Sequence, residues 1–321
     1  MATPLFSICI PAYKSRFLHE CITSILSQSY GDFELLVLND CSPEPISEIV
    51  GSFNDLRISV YNNKVNVGAE NLVDNWNQCL KLSNGKFIVM MGDDDRLEPD
   101  YLEEFIRLID KYPDVKVFHC RAKIIDSDSR VIGLTQSWPE FESVYNSIWH
   151  RLNDHRAQFI SDFVYDRSFL EKNGGFFKLP LAWGSDDITA YIAASFNGLA
   201  HTNKTVFNYR RSIYTISSSG STSLKIKALL EYSKWLQEFL ASVPTDLDDK
   251  ILHQELVHQF AYKMQKKKIL SISSSLDGNF VSSLFENLRF RKIYEISIKE
   301  LGFAIFDYLK RQFTSSTYKN K

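Results

Sequence analysis

The sequence predicts an α/β protein, a doubly wound and mainly parallel sheet followed by a helical C-terminal region. Three observations carry this. Short apolar, β-branched and aromatic runs alternate with segments of helical spacing over the first 120 residues, the pattern of strands buried on both faces by crossover helices. Polar clusters follow directly on two of those runs, as they do where strand ends face a ligand. Beyond a serine-rich stretch at 217–221 the apolar residues keep helical periodicity.

The elements follow in order. Leu5 to Ile10 reads as a strand, and residues 17–28 place Leu18, Cys21, Ile22, Ile25 and Leu26 on one helical face. A second strand, 33–38, ends at Asn39-Asp40 and leads through a Pro-flanked turn to a short helix at 46–53. Strand 57–61, helix 69–82 and strand 86–91 come next, the last running into Gly92-Asp93-Asp94-Asp95, and Pro99 opens a helix to residue 111. Stretches 115–125 and 159–165 are strand-like, Gly174-Gly175 marks a turn, and a helix begins near Asp186. Helices are expected at 224–240, 248–270 and 294–313. The expected domains are 1–216 and 217–321.

Composition narrows the function. Lys and Arg number 37 against 39 Asp and Glu, so no global positive field exists to drive nucleic-acid binding. The charge is uneven: residues 1–216 hold 21 basic and 28 acidic side chains, residues 217–321 hold 16 and 11. Two parts with different partners are implied. No apolar run approaches the roughly 18 residues of a membrane span, and Met1-Ala2-Thr3-Pro4 carries no basic leader. The five cysteines form no CxxC pair, so neither a disulfide framework nor a zinc site is indicated and a cytoplasmic location is expected.

Chemistry concentrates at the strand ends. Asp93, Asp94 and Asp95 raise one another's pKa unless a cation neutralises them. All-oxygen ligands suit magnesium or manganese, ions that bind through one or two carboxylates plus substrate phosphates. A solvated acidic turn capping the helix after Pro99 would carry the same residues, so both readings stand at this point. Asp40 can accept a nucleobase ring N–H and Tyr13 can stack on that base, although each is also an ordinary turn or rim residue. A dehydrogenase is disfavoured because no GxGxxG follows the first strand.

Five segments taken together, Ser7-Ile8-Cys9-Ile10-Pro11-Ala12-Tyr13, Leu36-Val37-Leu38-Asn39-Asp40-Cys41-Ser42, Asn66-Val67-Gly68, Gly85-Lys86-Phe87-Ile88 and Gly92-Asp93-Asp94-Asp95, resemble in order and spacing the family 2 inverting glycosyltransferases with the GT-A fold. The resemblance covers roughly residues 4–215. It implies a nucleotide-sugar half at about 1–112 and an acceptor half at about 113–216. Pro11, Tyr13, Asp40, Asn66, Gly68, Asp93 and Asp94 would then hold the donor, with Tyr13 and Asp40 on its base, usually uracil. Asp95 first, with Asp94, would bind a manganese or magnesium ion on the diphosphate.

Two departures stand out. Gly92 occupies the position where the family's aspartate motif often begins, and Asn75-Trp76-Asn77 lacks the family's arginine. Gly174-Gly175-Phe176 followed by Ser185-Asp186-Asp187 resembles the acceptor and base region, with Ser185 where a Glu is usual, which implies Asp186 as the catalytic base; an aspartate at a helix start is equally expected as an N-cap, a role open to Asp187. Tyr209-Arg210-Arg211 resembles an element near the donor diphosphate, which implies a place for Arg210 there, a solvated Arg pair being the alternative. The resemblance thus implies a metal-dependent transfer from a nucleoside diphosphate sugar, a UDP-sugar, to a saccharide or lipid-linked saccharide hydroxyl in surface polysaccharide synthesis. The alternative is a catalytically silent sugar-nucleotide-binding or scaffold protein. A phospho-receiver module would leave the Gly-Gly-Phe and Ser-Asp-Asp segments unexplained. For the basic, Phe-rich tail, a packed helical subdomain and a peripheral contact with the inner membrane face are both open.

Overall fold

The computed structural model describes residues 3–211 and 221–318, with side chains described to residue 313. The chain divides into two compact units, Met1–Lys178 with Ser185–Ser218, and Leu179–Gly184 with Ser219–Lys321. The boundary expected between 216 and 217 and most of the 212–221 loop lie outside the described residues.

The first unit is built on one ten-stranded, mostly parallel sheet. Strands β1 (Phe6–Ala12), β2 (Phe33–Asn39), β3 (Ile58–Asn62) and β4 (Phe87–Met90) form its parallel half in the order β3-β2-β1-β4. Phe6, Ile8 and Ile10 of β1 are fully buried against Leu18, Cys21, Ile22 and Ile25 of helix α1 (Leu18–Leu26) and Tyr101, Phe105 and Leu108 of α4 (Tyr101–Lys111). Each such aliphatic or aromatic side chain contributes about 1.5–3 kcal/mol by leaving water. Helices α2 (Ile46–Gly51) and α3 (Leu72–Leu82) complete the crossovers.

The sheet continues past β4 through β9 (Phe163–Asp166), β6 (Val117–Ile125), β10 (Leu199–Arg210) and β5 (Arg96–Leu97), with β7 (Val131–Leu134) and β8 (Phe141–Glu142) attached to β6 and β10. β9 runs antiparallel to both neighbours, whereas β10 is parallel to β6. Register aligns the rim: Ala12 lies opposite Asn39, Asn39 opposite Asn62, and Arg210 opposite Ile125. The carboxyl ends of β1, β2, β4, β6 and β10 and the start of β9 therefore share one edge, as expected for an open α/β sheet. Helices α5 (Val144–Leu152), α6 (Arg167–Lys172) and α7 (Ser185–Asn197) belong to this unit.

The second unit consists chiefly of α8 (Thr222–Phe239), α9 (Leu247–Ser275), α10 (Phe280–Phe290) and α11 (Ile298–Tyr318) around Ile226, Ile272, Ile296, Leu301 and Ala304. The last three of these helices start on explicit caps. Asp246 accepts from the Asp248 and Asp249 amides, Asn279 from Ser282, and Ser297 with Glu300 forms a reciprocal box. That box starts α11 at Ile298, later than the expected residue 294, because Glu295 takes a left-handed φ of 51°. No helix among the described residues is long and apolar enough to cross a membrane.

Candidate active site

The end of β2 organises the first part of the rim. The Asp40 amide donates to the Ala12 carbonyl at 3.0 Å, which seats Asp40 beside Tyr13. Asp40 is 5% exposed, and its carboxylate accepts from Asn63 Nδ2 at 2.8 Å, the Val67 amide at 3.1 Å and Asn66 Nδ2 at 3.1 Å. Asp40 thus shapes the Asn66-Val67-Gly68 turn, and its Oδ2, holding one donor, keeps room for another. Gly68 has φ +74°, which an L side chain rarely adopts. Asn63 also donates to Asn75 Oδ1 at 2.8 Å, tying α3 to the rim. Tyr13 is 43% exposed, and Pro11 sits past Cys9–Met90, the last β1–β4 pair.

The acidic turn after β4 gives its three carboxylates three different surroundings. Asp93 Oδ2 accepts from the Tyr13 and Lys14 amides at 2.9 and 2.8 Å, so it clamps the loop after β1. Burial and then the Asp94 charge push its pKa up to about 6, against the pull of those amides and of Lys14. Asp95 is 4% exposed and accepts from the Arg210 amide at 2.9 Å and the Ser161 hydroxyl at 3.1 Å. Burial, with the neighbouring Asp94 and Asp93 charges, holds it well above the usual carboxylate range. Asp94 receives none of these donors, and its pKa is raised by burial.

Among the described residues no group of three or more His, Cys, Asp and Glu side chains is arranged to hold a metal ion. The turn still fits a cation that takes one or two carboxylates and completes its shell with phosphate and water. Three mutually repelling, desolvated groups are what a divalent charge relieves, and at Asp94 the Lys14 charge and its own backbone amide oppose the rise only in part. Asp95, the expected first ligand, has both oxygens engaged by the Ser161 hydroxyl and the Arg210 amide.

Arg210 also differs from expectation. It is fully buried and every guanidinium nitrogen donates within the protein: Nε to the Asp94 carbonyl at 2.7 Å, Nη1 to the Asp126 carbonyl at 3.0 Å and Ser129 Oγ at 2.9 Å, Nη2 to Glu20 at 2.8 Å. The group lies 4.1 Å over the Phe17 ring. Arg210 therefore braces the acidic turn from behind, with its guanidinium donors taken up within the protein.

The second acidic pair opens α7. Asp187 is 6% exposed and is gripped by Arg151 Nε at 2.9 and 3.1 Å and by Gln158 Nε2 at 2.7 Å. Its neighbour Asp186 has no such clamp. Burial, the Asp187 charge and, more weakly, Asp162 push the Asp186 pKa up to about 7, with Arg151 opposing. Asp187, expected to cap the helix, is instead the anchored member of the pair. Upstream, Asn77 accepts from the Phe176 amide at 2.8 Å and donates to its carbonyl at 3.0 Å. Gly175 has φ +82°, and a Cβ there would collide with Asn77, so the Gly-Gly-Phe turn is a docking point for α3.

The 3-10 turn Ile160–Asp162 leading into β9 links the two acidic groups. Ser161 accepts from the Gly92 amide at 3.1 Å and donates to Asp95, while the adjacent Asp162 feels the Asp187 charge. Ser161, Arg151, Gln158 and Asn63 escape sequence reasoning because each acts through a long-range contact. No local motif marks them.

Comparison with known proteins gives these residues a family. The model described as Glycosyl transferase family 2 matches residues 7–172, a little over half of the chain. The Escherichia coli putative colanic acid biosynthesis glycosyl transferase WcaA is 34% identical over 106 residues, 32% of this chain and 37% of WcaA. The chain spans well under half the length of the curated relatives it matches. Among solved structures, S. aureus TarS in complex with UDP-GlcNAc has a TM-score of 0.63 at 17% identity, covering 98% of this chain and 92% of that one. The mannosyltransferase PcManGT from Pyrobaculum calidifontis, in complex with GDP-Man and Mn2+, has a TM-score of 0.54 at 15% identity over 96% and 88%. At such identities the likeness is one of fold, and the fold is of the GT-A type. With its family model and its sheet-rim architecture in agreement, the chain belongs to glycosyl transferase family 2, a family of inverting glycosyltransferases.

Proposed function

We propose that this chain transfers a sugar from a nucleoside diphosphate sugar, specifically a UDP-sugar, to a saccharide hydroxyl with inversion, in the synthesis of a surface polysaccharide. The observation that carries the reading is the Asp186–Asp187 pair. One carboxylate is fixed by Arg151 and Gln158, and the other, with its pKa near 7, suits a general base working at neutral pH. Asp186 would take the acceptor hydroxyl proton as that oxygen bonds to the anomeric carbon, and the bond from that carbon to the diphosphate oxygen breaks on the opposite face.

Donor recognition follows from the rim. The free acceptor site on Asp40 suits the ring N–H of uracil, and the exposed Tyr13 ring offers a stacking face. TarS and PcManGT, with UDP-GlcNAc and GDP-Man, support a nucleotide sugar in general, and Asp40 is the reason to prefer UDP. Asp94, with Asp95 behind it, would hold a manganese or magnesium ion, which when bound neutralises charge on the departing diphosphate. The Mn2+ in the PcManGT complex supports that ion, and the name of WcaA supports a polysaccharide product.

The test is a screen of UDP-, GDP-, CDP- and dTDP-sugars with saccharide acceptors and manganese. The product anomer is read by proton NMR. Turnover of a UDP-sugar with inverted configuration is expected. Retained configuration, or turnover only with the other bases, would sink the corresponding part of the reading.

A further inference from the structure

The second unit exposes apolar residues in order, not at random. On α10, Val281, Phe285 and Leu288 recur at helical spacing and are 74%, 68% and 46% exposed. On α11, Phe303, Phe306 and Leu309 repeat the pattern at 50%, 69% and 45%. Ile293 and Ile298, between the helices, are also exposed. α11 already spends Leu301 and Ala304 on the unit's core, so its outer stripe is a second apolar face. Phe280 and Tyr308, with ring centroids 5.3 Å apart, hold the two helices side by side. Single exposed apolar residues need no explanation, but two neighbouring stripes mark an interaction surface.

Charge decides the partner. Arg289, Lys292, Lys299 and Lys310 are exposed on the same stretch, against Glu286 and Glu295. The Arg289 and Lys299 cations lie 5.2 and 5.9 Å from the Phe290 and Phe303 ring centroids, so basic and apolar groups are interleaved. Lys268 on α9 contributes less, because it is paired with Glu300 at 3.4 Å. Two copies joined by a two-fold axis through this face would bring their own cations together, which is costly. An anionic bilayer satisfies both features: phenylalanines enter the boundary between headgroups and acyl chains while lysines and arginines meet the headgroup phosphates. We infer that the outer face of α10 and α11 docks on an anionic lipid surface.

The inference stands apart from the transfer reading, since docking is measured without substrate. The full chain is sedimented with vesicles of phosphatidylcholine alone or mixed with phosphatidylglycerol. Binding to the anionic vesicles is expected, falling as salt rises past about 0.15 M, where the screening length is about 8 Å. The combined variant Phe285→Ser, Phe303→Ser, Phe306→Ser should bind at least about tenfold more weakly, since each ring loses a burial worth roughly tenfold or more. Lys292→Glu with Lys299→Glu should lose roughly fivefold per charge. All five positions are exposed, and an unchanged circular dichroism melt confirms that the fold survives. Failure to bind anionic vesicles at low salt, or equal binding by the triple variant, overturns the inference. So does a dimer in sedimentation velocity that the triple variant dissolves, which would make the occupant a second copy.

Discussion

Two adjacent aspartates at the start of α7 differ in what holds them, and that difference fixes what each substitution should do. Asp186→Asn removes the proton acceptor and should lower turnover by about 10² to 10⁴ with little change in donor affinity. The raised pKa has a direct consequence for pH. Asp186 is protonated below about 7, so kcat/KM should fall as pH drops through that value. Asp187→Asn removes the like charge that helps raise it and leaves the Arg151 charge to lower it, so the acid limb should move to lower pH. A limb that stays in place, or moves up, would show that another group controls it. Asp93 has a different task, since one oxygen accepts both the Tyr13 and Lys14 amides. An amide oxygen can do the same, so Asp93→Asn should keep those two amides slow in hydrogen exchange and Asp93→Ala should release them. Equal release in both variants would show that charge, not the acceptor atom, holds the loop.

Elements bring these groups together, and Arg210 at the end of β10 is the clearest case. Arg210→Met would strand the Asp94 carbonyl at a cost of about 1–3 kcal/mol, whereas the Asp126 carbonyl keeps the Ser129 amide at 3.1 Å. Its Glu20 partner is 36% exposed and adds little, so a loss of about 2 kcal/mol in urea denaturation is expected. A loss under about 1 kcal/mol would mean that the turn stands without this brace. β10 also shows where sequence reading stops. β1, β2 and β4 were legible because their residues are apolar on both faces. β10 carries His201, Thr202, Asn203 and Lys204 in its middle, and it survives because Glu104 on α4 accepts from Thr202 at 3.1 Å and pairs with Lys204. His119 and His201 are buried with Nδ1 atoms 2.8 Å apart, and His119 lies flat on Trp138 at 3.9 Å. His119 and His201 lie 82 residues apart and Glu104 and Thr202 98 apart, and such pairs leave no periodic trace. The site was legible to the same degree. The strand-end aspartates were visible, whereas their division into clamp, brace and open ligand depended on Ser161 and Arg210 arriving from β9 and β10.

At the scale of the molecule, the rim is a set of desolvated carboxylates that the apo protein must tolerate and that a ligand can relieve. Asp93, Asp94 and Asp95 are all raised, with burial the first cause in each, so a divalent cation arriving with a diphosphate should find favourable charge there. Binding to the folded state alone adds RT ln(1 + [L]/Kd), about 2.7 kcal/mol at a hundredfold excess over Kd, which for domains of this size is roughly 5–10 °C in Tm. UDP with manganese should therefore raise Tm by several degrees, UDP alone by less, and CDP with manganese by less than UDP, because cytosine lacks the ring N–H that Asp40 would accept. Asp94→Asn should erase the increment due to manganese while keeping the fold, since the Asp94 side chain takes no part in the Tyr13, Ser161 or Arg210 bonds and its carbonyl, which Arg210 holds, is unchanged. Asp95→Asn should instead lower Tm before any ligand is added, because it weakens the joint between the turn, β9 and β10. A manganese increment that survives in Asp94→Asn and vanishes in a stable Asp95→Asn would return the direct contact to Asp95. Equal shifts with and without manganese in the unaltered protein would remove the cation from the proposed mechanism altogether.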